Sequence, residues 1–217
     1  MSTTSPIADQ VADMTSASTP SPVGEAFARA RQAKVDAGHG VLADVGSLFP
    51  DADLLTENGS ATTFGNEVDG RAAVVIFYRG AWCPYCNVAL RTYNAELAGP
   101  LAARGIALVA VSPETPDGSK AMKDSNELAF TVLSDPGNQL GRALGIVNVA
   151  TPAELSTNEQ IGFDLGKANA DGTTDLLFPT AAVVDAGGVL RFLDVHLDYT
   201  TRTEPGDILA AVDQLLP

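Results

Sequence analysis

The chain has 217 residues, 45% of them hydrophobic, which is enough for one sizeable core, and at this length a single domain is expected. Its 13 basic and 27 acidic side chains give a net charge of −14, which disfavours nucleic acid and anionic lipid as partners. The first residues lack the basic start and apolar run of a secretory leader, and no stretch of about 18 apolar residues could span a membrane, so a cytoplasmic protein is expected.

Taken in chain order, residues 1–22 are rich in Ser, Thr, Pro and Ala and poor in large apolar side chains, the composition of a disordered tail. Residues 23–45 form an N-terminal extension, helical from Val23 to Ala37, and the main domain runs over 46–217. Leu54 and Leu55, then Asn58-Gly59, then Thr62 to Phe64 predict a hairpin turning at the Asn-Gly pair. The run Ala72 to Tyr78 is β-branched and aromatic throughout, as in a strand buried on both faces of a parallel sheet. Pro84 then suits the first position of a helix whose apolar stripe is Val88, Leu90, Tyr93 and Leu97, with Gly99-Pro100 as its stop.

Ile106 to Val111 predicts a second buried strand, Ser119 to Leu128 a helix, and Phe130 to Leu133 a short strand. A helix containing Leu140 and Leu144 should end at Gly145. Thr151 to Thr174 is polar and reads as an insertion, helical from Pro152. Ala181 to Val184 and Val189 to Val195 make a hairpin around Asp185-Ala186-Gly187-Gly188, and Pro205 to Leu216 a last helix. Alternating strands and helices give an α/β fold.

The only two cysteines, Cys83 and Cys86, stand at the start of the first of these helices in FYRGAWCPYC. At i and i+3 they share one face and can be bridged, so they can cycle between dithiol and disulfide. A thiol at a helix start meets free N–H groups and the positive end of the dipole, which favour the thiolate nucleophile. Cys83 holds that cap position, with its sulfur expected to accept from the N–H of Cys86. Zinc is a rival reading of CxxC, but it would need His39 and His196 to converge from opposite ends of the chain. Two inert buried cysteines are a third reading, one that leaves Pro84 between them unexplained.

FYRGAWCPYCNVALRTYNAEL, with VSPETPD, LSDPGNQLGRALGI and AAVVDAGGVLRF, resembles the alkyl hydroperoxide reductase and thiol-specific antioxidant family of peroxiredoxins, over roughly Gly46 to Leu216. It is most similar to the CxxC-bearing peroxiredoxin-like proteins. The resemblance implies a thioredoxin-like fold: a central mixed sheet flanked by helices, with the N-terminal hairpin and an insertion before the last hairpin. The family's usual Pro, Thr and peroxidatic Cys fall on Arg79, Cys83 and Cys86, so the hydroxyl that polarises a peroxide is replaced by a second thiol. The family's Arg before the penultimate strand is replaced by Pro179-Thr180, a pair similar to the cis-Pro and Thr facing the CxxC of thioredoxins.

Arg79 then reads either as a charge partner of the thiolate or as a solvated turn residue, and Trp82 as a packing neighbour of the site. Arg191, Asp198, Tyr199 and Arg202 lie in a stretch typical of the subgroup without a derivable role, while His196 reads as a structural histidine. The implied activity is a thiol-dependent peroxidase that reduces hydroperoxides, with a thioredoxin-like protein or a low-molecular-weight thiol as reductant and no metal, flavin or nicotinamide. A general thiol–disulfide oxidoreductase and a non-catalytic redox-sensing or binding module are the alternatives. The peroxiredoxin pattern makes Cys86 the attacking sulfur and the thioredoxin pattern Cys83, and the helix cap favours Cys83. Oligomeric state is open, a homodimer being one alternative.

Overall fold

Strand β3 (Ala73–Phe77) organises the molecule because alternate side chains of one unbroken apolar run feed two cores. Val74, Ile76 and the following Tyr78 face one core, which also holds both cysteines, while Ala73, Val75 and Phe77 face the other. The structure is a computed structural model that describes residues 4–17 and 19–215.

In chain order, α1 (Ile7–Ser16) and α2 (Pro22–Ala37) precede the hairpin β1 (Asp53–Thr56) and β2 (Ala61–Thr63) and the short α3 (Phe64–Val68). After β3 come α4 (Pro84–Glu96), α5 (Ala98–Ala103), β4 (Ala107–Ser112), α6 (Pro116–Ser125), β5 (Thr131–Ser134) and α7 (Gln139–Leu144). Then follow β6 (Val147–Asn148), α8 (Pro152–Gln160), α9 (Leu165–Ala168), β7 (Leu176–Leu177), β8 (Thr180–Val184), β9 (Leu190–Val195) and α10 (Pro205–Leu215). The main sheet has the order β2-β1-β5-β4-β3-β8-β9. Strands β3, β4 and β5 run parallel and the others join antiparallel, so the sheet is mixed, as the sequence implied.

The hairpin turns at Gly59, whose φ of 78° suits a residue without a Cβ, and Gly145 ends α7 in the left-handed conformation. Gly99-Pro100 does not stop the helical path. Leu97 marks a break, and α5 resumes with Pro100 in its first turn, where a missing N–H costs nothing. The insertion is helical from Pro152, with a full capping box between Thr151 and Glu154. It is bracketed by the two-stranded β6–β7 sheet, which the polar composition did not suggest.

The N-terminal expectation needs correction. Residues 1–3 and 18 of the expected tail lie outside the described residues, but α1 is an ordered helix docked on the core. Ile7 is 1% exposed and Val11 lies one turn on, and both join the core beside Tyr93 and Leu97. Composition missed this because two apolar residues at i and i+4 suffice once a tertiary partner caps the helix. That partner is Glu204, whose carboxylate accepts the Ile7 and Ala8 N–H groups at 2.9 Å each. Helix α2, by contrast, buries no residue and is held by polar contacts: Arg31 to Asp198 at 3.3 Å, and Lys34 to Glu154 at 3.7 Å and to the Val149 carbonyl.

Candidate active site

The site lies where β3 passes through Tyr78-Arg79-Gly80-Ala81-Trp82 into α4. Cys83 is the residue capping α4, with extended backbone, and Pro84 opens the helix. The Cys86 and Asn87 N–H groups both go to the Cys83 carbonyl at 3.1 Å. The Cys83 sulfur makes no cap bond of full geometry, but the Cys86 N–H still helps to hold its thiol down, as the cap position implies. Asn87 ties the turn together, donating from Nδ2 to the carbonyls of Ala81 (2.8 Å) and Cys83 (2.9 Å). Asn126, the residue that follows α6, donates to Asn87 Oδ1 and accepts from Arg91, which fixes the asparagine's orientation.

Both cysteines are free and wholly buried. Each sulfur has its own guanidinium. Arg79 Nη1 donates to Cys83 Sγ at 3.8 Å, and Arg202 Nη2 donates to Cys86 Sγ at 3.0 Å. Arg79 is clamped between the rings of Trp82 and Tyr199, 4.8 and 4.2 Å from their centroids. Arg202 is locked by giving Nη1 to the carbonyls of Tyr199 and Thr201 at 2.7 and 2.6 Å. Among the described residues no carboxylate pairs with Arg202, so its counter-charge is the cysteine pair.

Burial pushes the Cys83 thiol up, but the Cys86 thiol beside it and the charges of Arg79 and Arg202 outweigh this, and Cys83 sits well below an ordinary thiol. Burial and the neighbouring Cys83 thiolate both drive Cys86 well above the ordinary value, with Arg202 offsetting part of the rise. The pair thus shares one negative charge, centred on Cys83. It offers one nucleophilic sulfur and one that still carries its proton.

Of the other expected site residues, Trp82 packs on Phe163 of the insertion, 4.8 Å between ring centroids, and its Nε1 has no partner. Pro179 follows a trans bond, as every described residue does, which corrects the cis expectation. Its carbonyl accepts the His196 N–H. Thr180 is buried opposite Phe77 and turns its hydroxyl to the Phe178 carbonyl rather than to a sulfur. His196 has both ring nitrogens engaged, with Thr201 at 2.7 Å and Asp194 at 3.2 Å, in keeping with a structural role. Among the described residues no three His, Cys, Asp or Glu side chains gather as a metal would need.

The sequence reading left the Cys86 position without a guanidinium, and the fold supplies one. Arg202 arrives from the loop after β9, 116 residues on, a distance that no local pattern reports. Asn126 was missed for the same reason, whereas Asn87 adjoins Cys86 and its bonds to Ala81 and Cys83 are local, so its position beside the motif was the available signal.

A profile of the AhpC/TSA family matches residues 45–193. A peroxiredoxin-named protein of Mycobacterium tuberculosis is 31% identical over 102 residues, 45% of this chain and 57% of that protein. The peroxiredoxin-named bcp protein of Haemophilus influenzae is 28% identical over 105 residues, 47% of this chain and 64% of that one. The matched stretch thus spans less than two thirds of either relative. Among solved structures, a peroxiredoxin-like protein from Aquifex aeolicus superposes with a TM-score of 0.64 at 17% identity, covering 82% of this chain and 90% of its own. BcpB from Mycobacterium tuberculosis gives 0.61 at 15% identity, covering 80% and 98%. These two likenesses establish the thioredoxin-like fold. With more than half of its length matched by the family profile, the chain belongs to the AhpC/TSA family.

Proposed function

We propose that this chain is a thiol-dependent peroxidase in which Cys83 attacks and Cys86 resolves. The observation that carries the reading is a pair of free, buried sulfurs three residues apart, each with its own guanidinium, at the mouth of α4. The Cys83 thiolate attacks the terminal oxygen of a hydroperoxide. An S–O bond forms, the O–O bond breaks, and the leaving alkoxide or hydroxide takes a proton, giving a sulfenic acid. Cys86 then attacks that sulfur, the S–S bond forms, and the hydroxyl leaves as water with the Cys86 proton. An external thiol or a thioredoxin-like dithiol returns two electrons by exchange. Arg79 steers charge toward Cys83, Trp82 packs over it, and Pro179 and Thr180 support the strand beneath. The working unit is the domain over 46–217 carrying its N-terminal extension, and its place is the cytoplasm, where thiol reductants abound.

A second assignment has an observation of its own. Arg202 lies closer to Cys86 than Arg79 lies to Cys83, which favours attack by Cys86. Reduced Cys83→Ser and Cys86→Ser proteins, each given one equivalent of peroxide, decide between them. A trappable sulfenic acid in Cys86→Ser with a sluggish Cys83→Ser supports the first order, and the reverse outcome assigns attack to Cys86. A reduced wild type that reacts faster with a small disulfide than with hydrogen or organic peroxides would replace the peroxidase by a thiol–disulfide oxidoreductase.

A further inference from the structure

Glu114 has no part in the thiol chemistry just described, yet the fold keeps a slot for it beside the cysteine turn. It lies between β4 and α6 in VSPETPD, 4% exposed, and its Oε2 accepts the Ala81 N–H at 2.7 Å, two residues before Cys83. Two glycines make the room. A Cβ on Gly80 would stand 2.8 Å from the carboxyl, and one on Gly118 would stand 2.9 Å from its carbon. The backbone is pinned as well, because Ser134 donates its hydroxyl to the Glu114 carbonyl and a β-bridge joins Glu114 to Asn169. The Ala81 N–H and the room left by the two glycines thus hold the carboxyl beside the cysteine turn.

Among the described residues no lysine or arginine pairs with this carboxyl, and a lone buried carboxylate is costly to keep. The titratable groups facing it are Tyr78, the residue after β3, whose buried hydroxyl lies beside Ser112 and Ser119, and Cys86 of α4. Its other neighbours, Gly80, Ala81, Gly118, Ser134 and Asn169, are uncharged. Burial, together with negative charge on Cys86 and against the Ala81 N–H, lifts the carboxyl to about 7.

We propose that Glu114 is a positioning residue of the cysteine pair that also takes up a proton when the disulfide is reduced and releases it when the disulfide forms. Two electrons from a dithiol break the S–S bond. One proton and one negative charge are then shared by the two sulfurs. The part of that shared charge carried by Cys86 faces Glu114, so a second proton is drawn onto the carboxyl. Formation of the disulfide removes the charge and lets the proton go. The inference rests on the cycling of the pair proposed above.

The test is the midpoint potential of the Cys83–Cys86 couple across about pH 5.5 to 8.5 in dithiothreitol buffers, followed by Trp82 fluorescence, for the wild type and Glu114→Gln. Glutamine keeps an oxygen for the Ala81 N–H and loses only the titration. Near neutrality the wild type is expected to take up more than one proton per electron pair and Glu114→Gln only one. Parallel curves would overturn the role of Glu114 and leave the peroxidase reading intact, whereas a pair that never forms a disulfide would overturn both. Should Glu114→Gln not fold, redox-difference infrared spectra of the wild type at neutral pH carry the same test. A protonated carboxyl band lost on oxidation supports the inference, and its absence refutes it.

Discussion

At the scale of single residues the site is an exercise in compensated burial. Arg202 is a guanidinium removed from water whose counter-charge is sulfur rather than carboxylate. Replacing it with Met should leave the charge on the pair poorly held. We expect peroxide consumption to fall by about a hundredfold, as when a fixed donor is removed from a developing anion, while Arg202→Lys recovers little because a point charge cannot also hold the Tyr199 and Thr201 carbonyls. Activity near wild type in Arg202→Met would remove it from the machinery. Arg79→Met should shift the pH midpoint of Cys83 alkylation up by about one unit, since one of its lowering charges is gone. Glu114 carries a stability prediction too. Its folded-state carboxyl is raised from 4.5 to about 7, so between those values the folded chain holds a proton that the unfolded chain has released. Stability therefore falls as pH rises through that window. Between about pH 5 and 8 the wild type should lose on the order of 2–3 kcal/mol more than Glu114→Gln in denaturant titrations, and an equal loss would free Glu114 of responsibility.

At the scale of elements, strands and helices whose own pattern announces them were legible, and those held by distant partners were not. Strand β3 could be read because burial on both faces leaves a continuous apolar run, and α4 because Pro84 and its stripe agree. The β6–β7 pair is two residues on each side, too short for any periodicity. Helix α1 hides in a Ser, Thr and Pro-rich segment because its large apolar side chains are few, Ile7 and Val11 buried and Met14 packed at the edge, and its cap is Glu204. Ile7→Ala should cost about 2 kcal/mol or more and Glu204→Gln about 1 kcal/mol, measured by urea unfolding. Values near zero would mean that α1 is not docked in solution. The sequence leaves Arg79 as either a thiolate partner or a solvated turn residue, and the fold sets its guanidinium 3.8 Å from Cys83 Sγ. Arg202 was visible only as a member of a loop, because a contact across 116 residues leaves no local trace.

At the scale of the whole molecule, the two cores are separated by the sheet, and the cysteines sit in the one that α1 and α10 also close. The ends of the chain are thereby joined, since the first helix takes its cap from the residue just before the last one. This has a consequence for how the chain comes off the ribosome. Synthesis at roughly 5–20 residues per second delivers Glu204 on the order of 10–40 seconds after Ile7, because 197 positions separate them. Until then the first helix has neither its cap nor a completed surface to lie on, and a segment of so few apolar residues does not hold helical structure alone. Docking of α1 therefore waits for Glu204, and the core around the cysteine pair is not sealed until that residue has emerged.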